Sequence, residues 1–215
     1  MANPEIFNLF PEPVASYSLG REFTSPEKNA LLNQEWRPSE GNQISKNTFV
    51  LRKKNLENIR EFIRLSILDF GNKIYNFAEV DNSYQGPIVK DAKLYITQSW
   101  VNKTMPGEYH HQHNHPNSIV SGTFYIEAND GDMIQFAKPG NDISPWLFTP
   151  KQWNMWNCAS WGVPVASGQL LLWRSHLPHS VPPTKGPNVR HALGVNTFIR
   201  GTIGENNSLS GLSLK

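Results

Sequence analysis

The sequence predicts a mainly β domain, either a sheet sandwich or a barrel, with one supporting helix. Two features of the chain lead to this prediction. One stretch in the first half has helical periodicity, and after about residue 87 short apolar runs alternate with glycine, proline, asparagine and aspartate. A helix followed by six or more short strands is typical of both architectures. With 215 residues the chain can bury a substantial core, so 1–215 is predicted to form a single domain.

The two ends of the chain are predicted to be peripheral. Residues 1–50 are rich in proline, asparagine, serine and glutamate, with short apolar patches. We expect an arm that packs a few side chains onto the main body and contains one short strand at 14–17. The tail, residues 201–215, is rich in glycine, asparagine and serine and is expected to fray.

The supporting helix is predicted over residues 55–78. Apolar side chains recur there at three- and four-residue steps, while Glu57, Arg60 and Arg64 lie on the opposite face. The apolar positions are Leu56, Ile59, Phe62, Ile63, Leu65, Ile67, Leu68 and Phe70. We expect this stripe to pack against a sheet and to have no role in chemistry.

The β core is predicted over residues 93–200. The expected strands are 93–102, 119–127, 133–137, 146–149, 169–173 and 191–200. The segment 146–161 also carries four tryptophans and few charges. It could form a lid or an aromatic rim beside a pocket, or it could simply pack in the core. We favour core packing, because aromatic side chains bury large areas wherever they occur.

Composition excludes several classes of function. The formal net charge is +2, so no polycationic face for nucleic acid or an anionic membrane is expected. The single cysteine, Cys158, excludes an internal disulfide framework and favours a reducing compartment. No apolar run reaches the roughly 20 residues of a membrane helix, and residues 1–19 lack the features of a signal peptide. We therefore predict a cytoplasmic protein.

Histidines are concentrated in one part of the chain. All seven lie between His110 and His191, and four of them fall within residues 110–115. Imidazole is a common ligand of transition metals, so the cluster suggests a metal site. In an extended segment His113 points to the same face as His115, and also to the same face as His111. The alternative is a solvated run of surface histidines.

A second motif follows the predicted strand 169–173. It carries His176 and His179, and Arg190 opens the next strand. The guanidinium group is planar, stays charged when buried and can donate two parallel hydrogen bonds to a carboxylate. A histidine followed by an arginine on the neighbouring strand therefore suits a dicarboxylate bound to a metal.

Together these motifs resemble the 2-oxoglutarate and iron(II)-dependent oxygenases. The resemblance rests on His-x-His at 113–115, then His-x(10)-Arg from His179 to Arg190, and on the strand, glycine turn and strand at 118–136. Residues 107–122 are similar, more narrowly, to uncharacterised oxygenases of marine bacteria and phages. The resemblance implies a double-stranded β-helix, that is, a jelly-roll barrel. It also implies iron(II) and 2-oxoglutarate as cofactors, with ascorbate as a reductant.

The same resemblance implies an activity and a location. The expected reaction hydroxylates a small-molecule or peptidyl substrate, such as a prolyl or other amino-acid side chain, while 2-oxoglutarate is converted to succinate. The protein would act in the bacterial cytoplasm, or in the host cytoplasm if a phage encodes it. A homodimer is left open, and no nucleic-acid or membrane partner is expected.

The metal ligands implied by the resemblance are His113, His115 and His179. His115 occupies the position at which the family usually has an acidic residue. Two other arrangements therefore stay open: only His113 and His179 bind, or His111 or a distant carboxylate completes the set. No catalytic residue is expected beyond the ligands.

Arg190 is expected to hold the far carboxylate of the cosubstrate. The family often has a hydroxyl residue two positions later, where this chain has Ala192. Tyr125 or Asn196 could replace that hydroxyl, and Ser121 is also expected to contact the cosubstrate. Asn102 flanks the same region, whereas Trp100 and Trp173 are expected in the core. His110, His111 and His176 are expected to support the site or lie on the surface.

Two other functions compete with this interpretation. A cupin-like metalloenzyme is favoured by Gly107-x(5)-His113-x-His115, but residues 118–121 lack the glutamate of that motif, and Pro183 stands where its asparagine should be. A non-enzymatic jelly-roll binding module would explain the fold and leave the histidines as surface groups.

Overall fold

The structure is a computed structural model that describes residues 4–75, 93–139, 150–204 and 206–214. Its helices are α1 (Ser25–Leu32) and α2 (Glu57–Tyr75), with short 3-10 turns at Val50–Arg52 and Lys54–Leu56. The strands are β1 (Val14–Ser18), β2 (Trp36–Pro38), β3 (Gln43–Ser45), β4 (Lys93–Thr104), β5 (His110–His113), β6 (Val120–Glu127), β7 (Met133–Ala137), β8 (Ser160–Pro164), β9 (Gln169–Arg174), β10 (His179–Val181), β11 (Arg190–Ile203) and β12 (Leu212–Leu214).

The strands form two antiparallel sheets. The major sheet has the order β1-β9-β6-β11-β4-β3-β2, and β12 pairs with β11 beside this path. The minor sheet has the order β5-β10-β7-β8. The inner faces of both sheets contribute to one apolar cluster, which includes Tyr125 and Trp173 from the major sheet and Ile134 and Phe136 from the minor sheet. The predicted jelly-roll fold, mainly β with a supporting helix, is confirmed.

Alternation along the strands of the major sheet separates its two faces. In β9, Leu171 and Trp173 point toward the minor sheet, whereas Leu170 and Leu172 pack on the other side with α2. The buried face of α2 consists of Ile59, Ile63, Ser66, Ile67, Phe70 and Gly71. These positions recur every three or four residues, as the sequence predicts for a helix that covers a sheet. Residues 76–78, the predicted end of this helix, lie outside the described residues.

Most predicted strands are present with small shifts at their ends. Strand 133–137 has the predicted bounds, and β4, β6, β9 and β11 differ from prediction by a few residues. The predicted strand 146–149 lies outside the described residues. The short strands β5, β8 and β10 were not predicted, because each has only three to five residues and lacks regular alternation.

The two ends of the chain are more regular than predicted. The arm contains α1 and the hairpin of β2 and β3, and β3 pairs with β4 at the edge of the major sheet. The tail does not simply fray, since β12 pairs with the end of β11. The apolar residues at the start of the arm do not act as anchors: Ile6, Phe7, Leu9 and Phe10 are all exposed.

The interpretation of the tryptophan-rich segment as core is wrong for its described members. Trp153, Trp156 and Trp161 are each at least half exposed. Trp161 lies on β8, at the edge of the minor sheet opposite Phe136, and the indole of Trp156 donates to Asn8 in the arm. Trp146 lies outside the described residues.

No helix in the described part of the chain is both long and apolar enough to span a membrane.

Within the arm, a capping box orders the start of α1. The hydroxyl of Thr24 accepts from the Glu27 backbone N–H, and the Glu27 carboxylate accepts from the Thr24 N–H at 2.9 Å. Two guanidinium N–H groups of Arg21 also donate to this carboxylate, at 2.7 and 2.8 Å. Arg21, together with Thr24, lowers the pKa of Glu27 from 4.5 to about 2, against the opposing effect of burial.

The first prediction concerns the stability that Glu27 provides. Because its pKa is lower in the folded protein, its contribution is complete above about pH 4.5 and is lost as the pH falls toward 2. At neutral pH we expect Glu27→Gln to lower the free energy of unfolding by about 1–2 kcal/mol, a modest value because Arg21 is 38% exposed. Urea unfolding followed by tryptophan fluorescence measures this difference, which should narrow between pH 5 and pH 2. The exposed Glu22→Gln serves as control, and a difference that is constant with pH would contradict the assignment.

Candidate metal centre

Three histidines converge where the minor sheet meets the loop after β5. His113 ends β5 and pairs directly with His179, the first residue of β10. His115 lies two residues beyond the strand, where its backbone N–H donates to Ser175. One ring nitrogen from each of the three lies within 4.8 Å of the others, close enough to hold one metal ion. The structure thus brings together the three residues that the sequence predicts as ligands.

The outer nitrogen of two of these rings is fixed by a backbone carbonyl. Nδ1 of His113 donates to the carbonyl of His111 at 2.9 Å, and Nδ1 of His179 donates to that of Leu177 at 3.0 Å. A carbonyl can only accept, so Nδ1 carries the proton in both rings. The Nε2 atom of each ring therefore presents a lone pair, which is the form that binds a metal.

The third ring is held by a buried hydroxyl. Ser121 is fully buried and donates to Oδ1 of Asn196 at 2.9 Å, and its oxygen lies 2.8 Å from Nδ1 of His115. With its proton on Asn196, Ser121 accepts from His115, whose Nε2 is again left with a lone pair. The sequence predicts cosubstrate contacts for Ser121 and Asn196. The structure instead places both behind His115, and neither lines the pocket in front of it.

The inward nitrogens are arranged as a cation would require. The Nε2 atoms of His113 and His115 are 3.1 Å apart, and neither carries a proton to share with the other. Two nitrogens bound at right angles to a first-row metal, each at about 2.1 Å, would lie about 3 Å apart. Burial, followed by the neighbouring histidines, lowers the pKa of His179 to about 3 and that of His115 to about 4. The rings are therefore neutral near pH 7, as ligands must be.

A second group of histidines shares one member with the first. His110, His111 and His113 also have ring nitrogens within 4.8 Å of one another. His111 is partly exposed, however, and its Nδ1 lies 3.5 Å from the carbonyl of Glu40. Nε2 of His113 faces His115, so the more buried group is the better site. Neither group, among the described residues, includes a carboxylate.

The floor of the adjoining pocket is built on three neighbouring strands. Residues of β11 that face the pocket have direct partners on β4 and β6, so Ala192 lies between Asn102 and Tyr125. In the next row Gly194 lies between Trp100 and Thr123. The two small residues in the middle leave space above the sheet that larger side chains would fill.

Trp100 lines this pocket, although the sequence predicts it in the core. A Cβ atom added to Gly194 would come within 2.7 Å of the indole, so the glycine allows the ring to lie against the backbone of β11. The edge of the indole also contacts His115, with the ring centroids 5.7 Å apart. Trp173 is fully buried as predicted, and it packs against the ring of His179.

Arg190 is buried at the other end of the pocket. It is 3% exposed, and its guanidinium lies 3.4 Å from the hydroxyl of Thr104 and 3.9 Å from Oδ1 of Asp132. Burial lowers the pKa of Arg190, but an arginine stays charged in proteins. Asp132 is itself held by Thr184 at 2.6 Å and by the backbone N–H of Asn129. These long contacts leave the guanidinium able to bind a further anionic group.

Several buried polar atoms around this pocket have no partner among the described residues. They are Oδ1 of Asn42, Oδ1 of Asn102, Nδ1 of His110 and the hydroxyl of Tyr125. Unpaired buried polar atoms are rare, and their concentration in one pocket indicates that a polar ligand completes them. Burial raises the pKa of Tyr125, so its hydroxyl keeps the proton it could donate.

No local pattern in the sequence marks Asp132, Thr104 or Asn42 as residues of the site. Asp132 lies 58 positions before Arg190, and no local pattern links the two. Thr104 pairs with Arg190 only through the register of β4 and β11, and Asn42 enters through the β2–β3 hairpin that was not predicted. One local signal of the pocket was present in the sequence, namely Gly194 inside the predicted strand 191–200. A glycine inside a strand often marks the close approach of another group, which here is the indole of Trp100.

Comparisons with known proteins agree with this geometry. Residues 98–196, which include the three histidines and Arg190, match the family described as "Putative 2OG-Fe(II) oxygenase". No curated protein matches the sequence. The residues that match this family make up a little less than half of the chain and contain the whole candidate metal site.

Solved structures share the fold at low sequence identity. A prolyl-4-hydroxylase from Pseudomonas putida is 14% identical, with 88% of this chain and 94% of that chain covered and a TM-score of 0.52. A prolyl hydroxylase from Trichoplax adhaerens, in complex with a hypoxia inducible factor peptide, is 12% identical over 86% and 83%, with a TM-score of 0.51. The epimerase SnoN, in complex with Fe3+, alpha ketoglutarate and nogalamycin RO, is 10% identical over 87% and 79%, with a TM-score of 0.56.

The second prediction concerns the ligands. We expect His113→Ala and His179→Ala each to weaken the binding of one Co²⁺ ion, a stand-in for Fe²⁺, by more than about a hundredfold. Removing a residue that only supports a ligand typically costs about ten- to a hundredfold in metal affinity, and removing the ligand itself should cost more. Isothermal titration calorimetry measures the affinity, and the exposed His176→Ala is the control. An undiminished affinity in His115→Ala combined with a large loss in His111→Ala would move the site to the other group of histidines.

The third prediction concerns the hydroxyl behind His115. Ser121→Ala should weaken Co²⁺ binding roughly ten- to a hundredfold, because the ring loses the acceptor that fixes its tautomer and orientation. Ser160→Ala, on the distant strand β8, should leave the affinity unchanged. If Ser121→Ala binds the metal as tightly as the wild type, His115 either needs no such support or is not a ligand.

Proposed function

We propose that this protein is an iron(II)- and 2-oxoglutarate-dependent oxygenase that hydroxylates a C–H bond. One observation carries the proposal: a single pocket contains two complementary groups. At one end three neutral imidazoles face a common point, and at the other end lies a buried arginine whose polar contacts are long. A metal ion and a dicarboxylate would satisfy the two ends of this pocket. The overall reaction would convert the substrate C–H, dioxygen and 2-oxoglutarate into the hydroxylated product, succinate and carbon dioxide.

His113, His115 and His179 would hold the iron. Their geometry fits the ion because each ring has its proton fixed on Nδ1 and its lone pair on Nε2. Bound iron and 2-oxoglutarate would supply the activation of dioxygen, which no side chain can provide. The protein's own task would be to orient these groups and to limit the access of water.

Arg190 would bind the far carboxylate of 2-oxoglutarate. Its planar fork can donate two parallel hydrogen bonds, and Asp132 balances part of its charge in the buried site. Ala192 provides no hydroxyl here, but its cross-strand partner Tyr125 has an unpaired one. We infer that Tyr125 donates to the same carboxylate.

The substrate would enter over the histidines. Trp100, Ile134 and Val181 give the pocket apolar walls, which would keep the reacting C–H bond away from water. Two of the solved structures with this fold are prolyl hydroxylases, so a prolyl or other amino-acid side chain is the substrate we propose first, ahead of a free metabolite. The cytoplasmic location, the use of ascorbate and the narrower likeness to oxygenases of marine bacteria and phages stay predictions.

The competing functions are not favoured. In a cupin-like enzyme the buried Arg190, whose contacts with Thr104 and Asp132 are long, would have no ligand to bind. In a binding module the histidines would be solvated, whereas His179 is only 4% exposed and each of the three rings is fixed at Nδ1.

The fourth prediction tests this function through Arg190. Arg190→Ala should weaken 2-oxoglutarate binding by about thirtyfold to several thousandfold, because breaking a charge-assisted contact in a buried site costs about 2–5 kcal/mol. Arg190→Lys should recover only part of the loss, since a point charge cannot reproduce the fork. The measurement is succinate release with iron and ascorbate, with 2-oxoglutarate titrated for each variant.

Two variants complete this test. Arg200→Ala, exposed on the same strand, should behave as the wild type. His179→Ala should abolish turnover at every concentration of 2-oxoglutarate. An apparent affinity that is unchanged in Arg190→Ala would reject the assignment and favour the cupin-like alternative.

A further inference from the structure

His110 is brought into the pocket by an irregularity in the minor sheet. On β10 the residues His179 and Val181 are two apart, but their partners on β5, His113 and His110, are three apart. On a regular strand, residues three apart point to opposite faces. The extra residue makes a β-bulge, a feature that commonly re-aims a side chain beside a functional site. As a result His110 and His113 line the same pocket.

The imidazole of His110 is close to both ends of the site. Its ring centroid lies 4.7 Å from that of His113, at the metal end. The charge of Arg190, at the other end, is near enough to contribute to lowering the pKa of His110, although burial has the largest effect. His110 therefore lines the same pocket as the histidines at the metal end and Arg190.

Nδ1 of His110 is a buried polar atom that awaits a partner. It is inaccessible to solvent and has no hydrogen-bond partner among the described residues. A neutral imidazole carries one N–H and one lone pair, so Nδ1 can either donate or accept. A carboxylate can only accept and would select the tautomer with the proton on Nδ1. Two neighbouring pocket groups, Asn102 and Tyr125, have unpaired polar atoms as well.

We propose that His110 is a binding residue for the cosubstrate, whose carboxylate accepts a hydrogen bond from Nδ1–H. This inference rests on the proposed function, and it assigns to His110 a role that is separate from metal binding. The rival role is that of a ligand in the group with His111 and His113. The direction of His113, whose Nε2 faces His115, argues against that role.

The fifth prediction compares two substitutions of His110. His110→Phe keeps a flat ring but has no N–H, whereas His110→Asn places an amide nitrogen near the position of Nδ1. Two calorimetric titrations measure the affinities. In one, 2-oxoglutarate is added without oxygen to protein loaded with Mn²⁺; in the other, Mn²⁺ alone is added to the metal-free protein. The loss of a hydrogen bond to a charged group predicts roughly ten- to a hundredfold weaker 2-oxoglutarate binding for His110→Phe. His110→Asn should stay within about threefold of the wild type, and Mn²⁺ affinity should be unchanged in both variants.

The control is Gln112→Ala, exposed on the same strand, which should alter neither affinity. The inference is overturned if His110→Phe binds 2-oxoglutarate like the wild type. It is also overturned if both variants lose Mn²⁺, because His110 would then be a ligand. A wild-type protein that binds neither Mn²⁺ nor 2-oxoglutarate would instead refute the proposed function, so the two failures can be told apart.

Discussion

The pairing of β11 with β4 on one side and β6 on the other is the constraint on which the site depends. Through this register Arg190, Ala192 and Gly194 face the pocket. Leu193 and Val195, on either side of Gly194, pack toward α2. Because side chains alternate along a strand, a slip of one residue would exchange the two sets. The same hydrogen bonds therefore hold the hydrophobic core together and place the arginine, the two small floor residues and their polar neighbours.

The minor sheet contributes the histidines with far less regular structure. Strands β5 and β10 are short, and a bulge interrupts their pairing. The rings are positioned mainly by their own hydrogen bonds, which fix Nδ1 to a carbonyl or to Ser121. Three lone pairs then face one point in a buried site, an arrangement that is unfavourable without a cation. An ion that binds only the folded chain would stabilise the fold in proportion to its affinity and concentration.

Helical periodicity predicted α2, and short apolar runs bounded by turn residues predicted the strands β4, β6, β7, β9 and β11. Neither signal could predict β5, whose sequence His-His-Gln-His has no apolar alternation, or the bulge that turns His110 inward. The spacing of His113, His115, His179 and Arg190 was enough to bring the candidate ligands and the arginine into one hypothesis. The partners of these residues were not predictable, because Ser121 meets His115, and Asp132 meets Arg190, only through tertiary packing.

The all-histidine group changes the charge balance of the pocket. A carboxylate ligand would cancel one charge of a divalent ion, but three neutral imidazoles leave both in place. Arg190 adds one positive charge, which the buried carboxylate of Asp132 offsets. The loaded pocket would therefore carry two uncompensated positive charges in a largely buried space, and a 2-oxo dicarboxylate carries the matching two negative charges. Metal and cosubstrate should consequently bind with positive coupling, since each removes a cost that the other would otherwise leave buried. The neutral donors of the pocket can then orient the dianion without adding further charge.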